Sequence, residues 1–461
     1  MTPGPGGTWV SDENVALLTD LYELTMAASY HRHKMVQPAT FDLFVRSLPE
    51  ERNFLVVCGL DDALDYLENV RFEAESIAFL RSTNLFDQSF LDYLETFRFT
   101  GDVWAMREGE VAFGREPLLR VTAPLIEAQF VETFLLNMVT FQTMVASKAA
   151  RVAIACAKRS FVDFSLRRDH GADAGLKAAR AAFVGGASAT SNVLAGHVYG
   201  IPLSGTMAHS YVMAFRHEID AFRTYTADFG SASILLIDTF DIVEGARNAA
   251  AVALEMKARN ENLRGVRIDS GDLAAGAKVV RRILDDADLS DVQVIASGDL
   301  DEHRIRDLLE ADAPIDAFGV GTQLGTSGDA PSLGAAYKLV EDHEGPKIKL
   351  STGKATIPCR KQVWRIERSG MMERDVIGHQ DEKIEGRSLL HEVMSGGRRV
   401  VARGTVEAHR TACLAAVDAL PEPLKALDRM AHYPVDLSPS LGELVRSMRG
   451  SGVGRSLRPT S

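Results

Sequence analysis

The chain has 461 residues, a formal net charge of −12, 46% hydrophobic residues and 25% charged ones. That is enough apolar material for a large domain of roughly 200–250 residues plus a smaller one, and an acidic balance without a long Lys/Arg run argues against nucleic acid as a partner. The cysteines Cys58, Cys156, Cys359 and Cys413 form no CxxC pair and have no histidine at ligand spacing, which argues against a zinc site or disulfide framework and fits a reducing compartment.

The opening MTPGPGGTWV has no basic stretch leading into an apolar core, and no apolar run approaches the ~20 residues needed to span a bilayer. A cytoplasmic protein without membrane contact is expected. Residues 1–12 and 447–461 lack periodic apolar positions and are expected to be flexible tails.

After the first tail, LLTDLYELTMAASYHR from Leu17 reads as a helix and TFDLFVRSL from Thr40 as a strand. A repeating pattern follows. FVDFSLRR (Phe161), IPLSGTMAH (Ile201), SILLIDTFD (Ser233), GVRIDSGDL (Gly265), VQVIASGDL (Val292) and DAFGVGTQLG (Asp316) are apolar or β-branched runs that end in Gly, Asp, Ser or Thr. Between them, IVEGARNAAAVALEMKARN and DEHRIRDLLEAD have helical spacing. Strand, polar tip and helix, recurring about every thirty residues, mark parallel βα units. Further on, KIKLST and KQVWRIERS alternate as antiparallel strands do. The expected fold is α/β: an irregular (β/α) barrel over 126–344, with a second mixed α+β domain built from 13–125 and 345–446.

In such folds functional groups gather at the C-terminal ends of the strands, and the candidate residues lie there. G319-V-G321-T-Q-L-G325 is one residue too long for a dinucleotide fingerprint, but glycines after a strand let backbone N–H groups approach a phosphate. A barrel turn that needs glycine for its backbone angles is the competing reading. Arg267, Asp269 and Asp272 follow one strand and Ser297, Gly298 and Asp299 the next; such carboxylates can hold a sugar diol or Mg²⁺, or simply cap helices. Arg167 and Arg168, after Phe164, offer a guanidinium fork beside a ring, although an Arg pair alone reads as a solvated face. Tyr22 and Phe44 alone read as core aromatics. His209, wrapped in small and apolar residues in LSGTMAHSYVMAF, reads alone as a satisfied core residue, but Gly205 and Thr206 place it just beyond the IPL run at the same mouth, where a nucleophilic or phosphate-accepting imidazole is expected.

LLTDLYELTMAASY, SLRRDHGADAG, SNVLAGHVYGIPLSGTMAHSYV, RIDSGDL and FGVGTQLGTSGDAPSLGAAYKLV together resemble the nicotinate phosphoribosyltransferase family, of the type II phosphoribosyltransferase fold, in order from about Leu17 to Arg365. The resemblance implies that nicotinate and 5-phosphoribosyl 1-diphosphate are joined to give nicotinate mononucleotide and diphosphate, with Mg²⁺, coupled to ATP hydrolysis, as the first step of NAD synthesis from nicotinate. It implies a homodimer in which the aromatic of LTDLY reaches the neighbouring site. It makes His209 the histidine that ATP phosphorylates, Tyr22 and Phe164 the rings that sandwich the pyridine, and Arg167 the adjacent arginine. Arg267 and Asp269 then hold the phosphoribosyl unit, and Gly298, Gly319 and Gly321 admit its 5′-phosphate. Thr206 and Thr322 belong to the same substrate-binding set. Ser188, in GGAS, stands where related nicotinamide enzymes carry Asp, and a neutral hydroxyl favours the acid over the amide. The alternatives are a nicotinamide or quinolinate phosphoribosyltransferase, or a barrel that binds nicotinate or a phosphosugar without catalysis.

Overall fold

The computed structural model describes residues 9–351, 356–428 and 431–450. Most of each expected tail, 1–8 and 451–461, lies outside the described residues. The helix Pro439–Gly450 continues past residue 447, where the C-terminal tail was expected to begin.

The βα units build one six-stranded parallel sheet in the order Ala189–Thr190, Ser160–Asp163, Ala317–Val320, Gln293–Ala296, Gly265–Ile268, Ile234–Leu236. Five of these are the apolar runs of the sequence, and helices pack over them. Leu235, Val266, Val294 and Phe318 lie in one core with Ala246, Ala249, Val280 and Ile305 of those helices. The sheet curls into an irregular half barrel. The run at Ile201 forms no strand but a single bridge from Leu203 to Thr190, because Pro202 has no N–H and offers only its carbonyl, which accepts from Thr190 at 3.0 Å.

The second body is a seven-stranded antiparallel sheet in the order Gly345–Pro346, Ala335–Asp342, Pro38–Val45, Pro117–Pro124, Asp102–Ala105, His391–Ser395, Arg398–Arg399. Segments from both ends of the chain meet in it. The strand Ala335–Asp342 pairs with Pro38–Val45, so the chain has already crossed to this sheet before residue 344. The described part of KIKLST, residues 347–351, is not a strand: after the Lys347 N–H bonds the Val340 carbonyl at 2.8 Å the chain leaves the ladder, and the Lys349 N–H goes to the Thr356 hydroxyl. KQVWRIERS is one, Lys361–Arg368, in a separate four-stranded sheet with Met371–His379.

One helix joins the two bodies. Glu132–Ala155 buries Phe134, Leu135 and Val139 in the core of the mixed sheet and Met144 to Ala155 in the core of the barrel. Its 24 residues carry apolar side chains on nearly every face, as a helix packed between two bodies must. No helix among the described residues is long and apolar enough to cross a membrane.

Candidate active site

Parallel register places the ends of the six strands side by side, and the residues just past them form a mouth. His209 starts the short helix His209–Met213. Its Nδ1 lies 3.1 Å from the Thr239 hydroxyl and its Nε2 3.7 Å from Oδ2 of Asp269. The side chain is 38% exposed. The expected apolar wrapping is therefore absent: Leu203 and Met213 turn outward and the imidazole opens to the mouth.

Asp269 is fixed from three directions. Its Oδ1 accepts the Ser297 hydroxyl at 2.5 Å and faces the Arg267 guanidinium at 3.8 Å, and its backbone N–H donates to Asp238 at 2.9 Å. The same Asp238 oxygen accepts the Ser270 hydroxyl at 2.6 Å, leaving Oδ1 of Asp238 buried and unpartnered. Arg267 donates to the carbonyl of Met207, two residues before the histidine, at 3.1 Å, and its guanidinium stands 6.0 Å from the centre of the Phe164 ring. Its side chain is only 11% exposed and its Nε has no partner. Burial and the neighbouring Arg167 lower the Arg267 pKa, against the pull of Asp269 and Asp238. Arg167 is exposed and pairs with no carboxylate among the described residues. Two guanidinium groups that share one opening favour an anion there.

The glycines have local reasons to be glycine. A Cβ on Gly319 would lie 2.5 Å from the Phe164 ring, so this residue seats the aromatic. Gly298 has φ +92° and would put a Cβ 2.0 Å from the Asp269 carbonyl. Gly321 passes beside the Phe164 carbonyl, and Thr322 is exposed at the start of the short helix Thr322–Gly325. Thr206 bonds the Met207 carbonyl at 3.1 Å. Asp272 is a helix cap, accepting from Ala275 N–H at 3.0 Å.

Two expected site residues lie apart from this mouth. Ser188 precedes the strand Ala189–Thr190, and its hydroxyl donates to the Phe161 carbonyl at 2.9 Å, at the opposite end of the strand from the mouth. The residue that comes out beside Phe164 is Ser191: Asp163 pairs with Thr190, and the Ser191 N–H donates to the Asp163 carbonyl at 2.9 Å. Tyr22 is on the helix Leu21–Arg32 of the mixed body, 46% exposed, and meets none of these groups within the chain. Asp238 and Thr239, at the polar tip of SILLIDTFD, reach the mouth as that pattern predicts, but the sequence gives neither a role of its own.

A second set of ligand-type side chains, Asp61, Glu108 and His409, lies away from the mouth. Arg180 grips Glu108 at 2.7 and 3.0 Å and Arg399 holds Asp61 at 2.6 Å, so these carboxylates are already neutralised by guanidinium groups.

Residues 17–140 match the nicotinate phosphoribosyltransferase (NAPRTase) N-terminal domain, residues 159–342 the nicotinate phosphoribosyltransferase (NAPRTase) family, and residues 384–445 the nicotinate phosphoribosyltransferase C-terminal domain. The chain belongs to the nicotinate phosphoribosyltransferase family. Within that family, nicotinate phosphoribosyltransferase pncB2 of Mycobacterium tuberculosis is 45% identical over 434 residues, covering 94% of this chain and 93% of that protein. The Bacillus subtilis nicotinate phosphoribosyltransferase is 44% identical over 389 residues, covering 82% and 79%. The crystal structure of human nicotinic acid phosphoribosyltransferase superposes with a TM-score of 0.84 at 27% identity, covering 93% of this chain and 99% of that one.

Proposed function

We propose that this mouth transfers the phosphoribosyl group of 5-phosphoribosyl 1-diphosphate to nicotinate, and that ATP hydrolysis is coupled to the transfer through His209. The reaction class is that of the family, nicotinate phosphoribosyl transfer in NAD biosynthesis. The observation that carries the reading is the convergence of His209, of Arg267 with Asp269, and of Phe164, from three segments, on one opening with two guanidinium groups.

In this reading the pyridine lies on the Phe164 ring and its carboxylate faces Arg167, with the Ser191 hydroxyl beside it. Asp269, held by Ser297, accepts the ribose hydroxyls, and the unpartnered Nε of Arg267 donates to the phosphorylated sugar. The ring nitrogen bonds to C1 of the ribose as the bond from C1 to the diphosphate oxygen breaks. The enzyme's task is alignment and charge stabilisation at an electron-deficient carbon. The buried free oxygen of Asp238 beside Asp269 suits a hard divalent cation such as Mg²⁺, which when bound would neutralise charge on the leaving diphosphate.

For the ATP step, Thr239 occupies Nδ1 of His209, so Nε2 is the nitrogen left to receive a phosphoryl group. A second copy of the chain supplies Tyr22 to close the open side of the pyridine; the exposed Leu21 and Tyr22 on one body and Val193, Leu194 and Leu203 at the rim of the mouth provide apolar surface for that contact. The four free, buried cysteines accord with a cytoplasmic enzyme.

Diphosphate release measured side by side with nicotinate, nicotinamide and quinolinate tests the substrate. Nicotinate should lead by at least about tenfold; preference for either of the others, or no release with any, would reject the reading.

A further inference from the structure

Lys148, on the helix that joins the two bodies, is buried, and its ammonium group touches two carboxylates: Glu302 at 2.6 Å and Asp329 at 2.9 Å. These acids belong to different βα units. Glu302 opens the helix Glu302–Glu310, directly after the Gly298 turn, and Asp329 follows the short helix Thr322–Gly325 that Gly321 introduces. Each acid has a second cation. Arg52 donates to Asp329 at 2.8 and 3.0 Å, to the Ser327 hydroxyl, and to the Met144 carbonyl at 2.8 Å. Arg151 donates to Glu302 at 2.8 Å and to the carbonyls of Glu51 and Leu427.

All five charged side chains are nearly sealed from water. Buried ion pairs add little net stability over apolar packing of the same volume, but their directional bonds fix geometry. Here the geometry fixed is that of the loop carrying Asp329, which turns through Ser327 at φ +49°, a strained angle for a non-glycine, and is pinned there by Arg52.

We propose that Lys148 is a positioning residue which, by bridging Glu302 and Asp329, sets the separation of the Gly298 and Gly321 turns, the turns to which the family resemblance assigns the 5′-phosphate of the sugar. The inference rests on the phosphosugar reading above. Arg52 holds Asp329 alone and Arg151 holds Glu302 alone, so Lys148 is the cation common to both acids.

The test is steady-state kinetics with nicotinate and 5-phosphoribosyl 1-diphosphate varied separately. Lys148→Met should raise KM for the phosphosugar by about tenfold or more, with kcat and the nicotinate KM within about threefold, and Lys148→Arg should recover part of the loss. Should Lys148→Met fail to fold, Ser327→Ala removes only the hydroxyl at the Arg52 end of the clamp and should raise the same KM several-fold. Gly298→Ala serves as the reference, since it disturbs one loop directly. If Gly298→Ala raises the phosphosugar KM while the clamp variants lower only thermal stability or kcat, the positioning role is wrong and the phosphosugar reading stands. If Gly298→Ala also leaves that KM unchanged, the sugar is not held there and both fall.

Discussion

Nε2 of His209 stands 3.7 Å from Oδ2 of Asp269, although sixty residues of chain separate them. The carboxylate assigned to the sugar and the imidazole assigned to ATP are thus neighbours, and a phosphoryl group on Nε2 would alter the charge that the sugar site feels. Coupling between ATP and phosphosugar needs no long pathway here.

Thr239 holds the other nitrogen of that ring at 3.1 Å. When the hydroxyl accepts from Nδ1–H, the lone pair of Nε2 is directed into the mouth. Thr239→Val keeps the shape and removes the bond. One hydrogen bond contributes about 1 kcal/mol, so the ATP-stimulated rate should fall roughly fivefold, with the rate in the absence of ATP unchanged; a loss of both alike would show that the threonine acts elsewhere.

Ser191, and not Ser188, comes out beside Phe164. A carboxylate at 191 would repel nicotinate by about 1–4 kcal/mol at a separation of about 4 Å and would accept from an amide. Ser191→Asp should therefore lower kcat/KM for nicotinate about tenfold or more and raise it for nicotinamide, whereas Ser188→Ala should leave the ratio of the two unchanged. The reverse pattern would restore Ser188 to the site.

If Tyr22 acts in the neighbouring site, Tyr22→Ala and Phe164→Ala damage the same pocket from different chains. Each variant alone should be impaired, and co-expression should regain activity through mixed dimers that hold one intact pocket. No recovery in a demonstrably mixed dimer would place Tyr22 outside the site.

Glu23, next to Tyr22, is buried with Gln129 donating to one oxygen at 2.8 Å. Burial pushes its carboxyl from the ordinary 4.5 up to about 7, with Glu132 adding repulsion and the Gln129 bond opposing. The folded chain thus holds a proton that the unfolded chain has lost between pH 4.5 and about 7, so this group lowers stability as pH rises through that window, and the whole penalty is present above it. Glu23→Gln should raise Tm at pH 8 and have little effect at pH 4.5, read by thermal melts across that range; an equal shift at both pH values would refute the assignment.

The barrel strands were legible because a strand buried on both faces leaves a short apolar run, and the polar cluster that ends each run marks the mouth. That is why His209, Arg267, Asp269 and Phe164 could be placed together from sequence. Ser188 was misplaced because the strand Ala189–Thr190 is two residues long and too short for periodicity to fix its end. The helices Leu60–Asn69, Ala74–Ser82 and Gln88–Glu95 lie outside the βα pattern, although Leu60–Asn69 and Gln88–Glu95 bury a distinct apolar face. The bond from Arg52 to Asp329 spans 277 positions, and two charged residues that far apart carry no local sign that they will be buried together.

The central claim is that one mouth serves both the phosphosugar and the ATP-dependent histidine. The most direct measurement is the initial rate of diphosphate release from nicotinate, 5-phosphoribosyl 1-diphosphate and Mg²⁺, with and without ATP, for the unaltered chain and for His209→Ala. ATP should accelerate the unaltered chain and leave the variant at a slow, ATP-independent rate. Full ATP stimulation in His209→Ala would contradict the account.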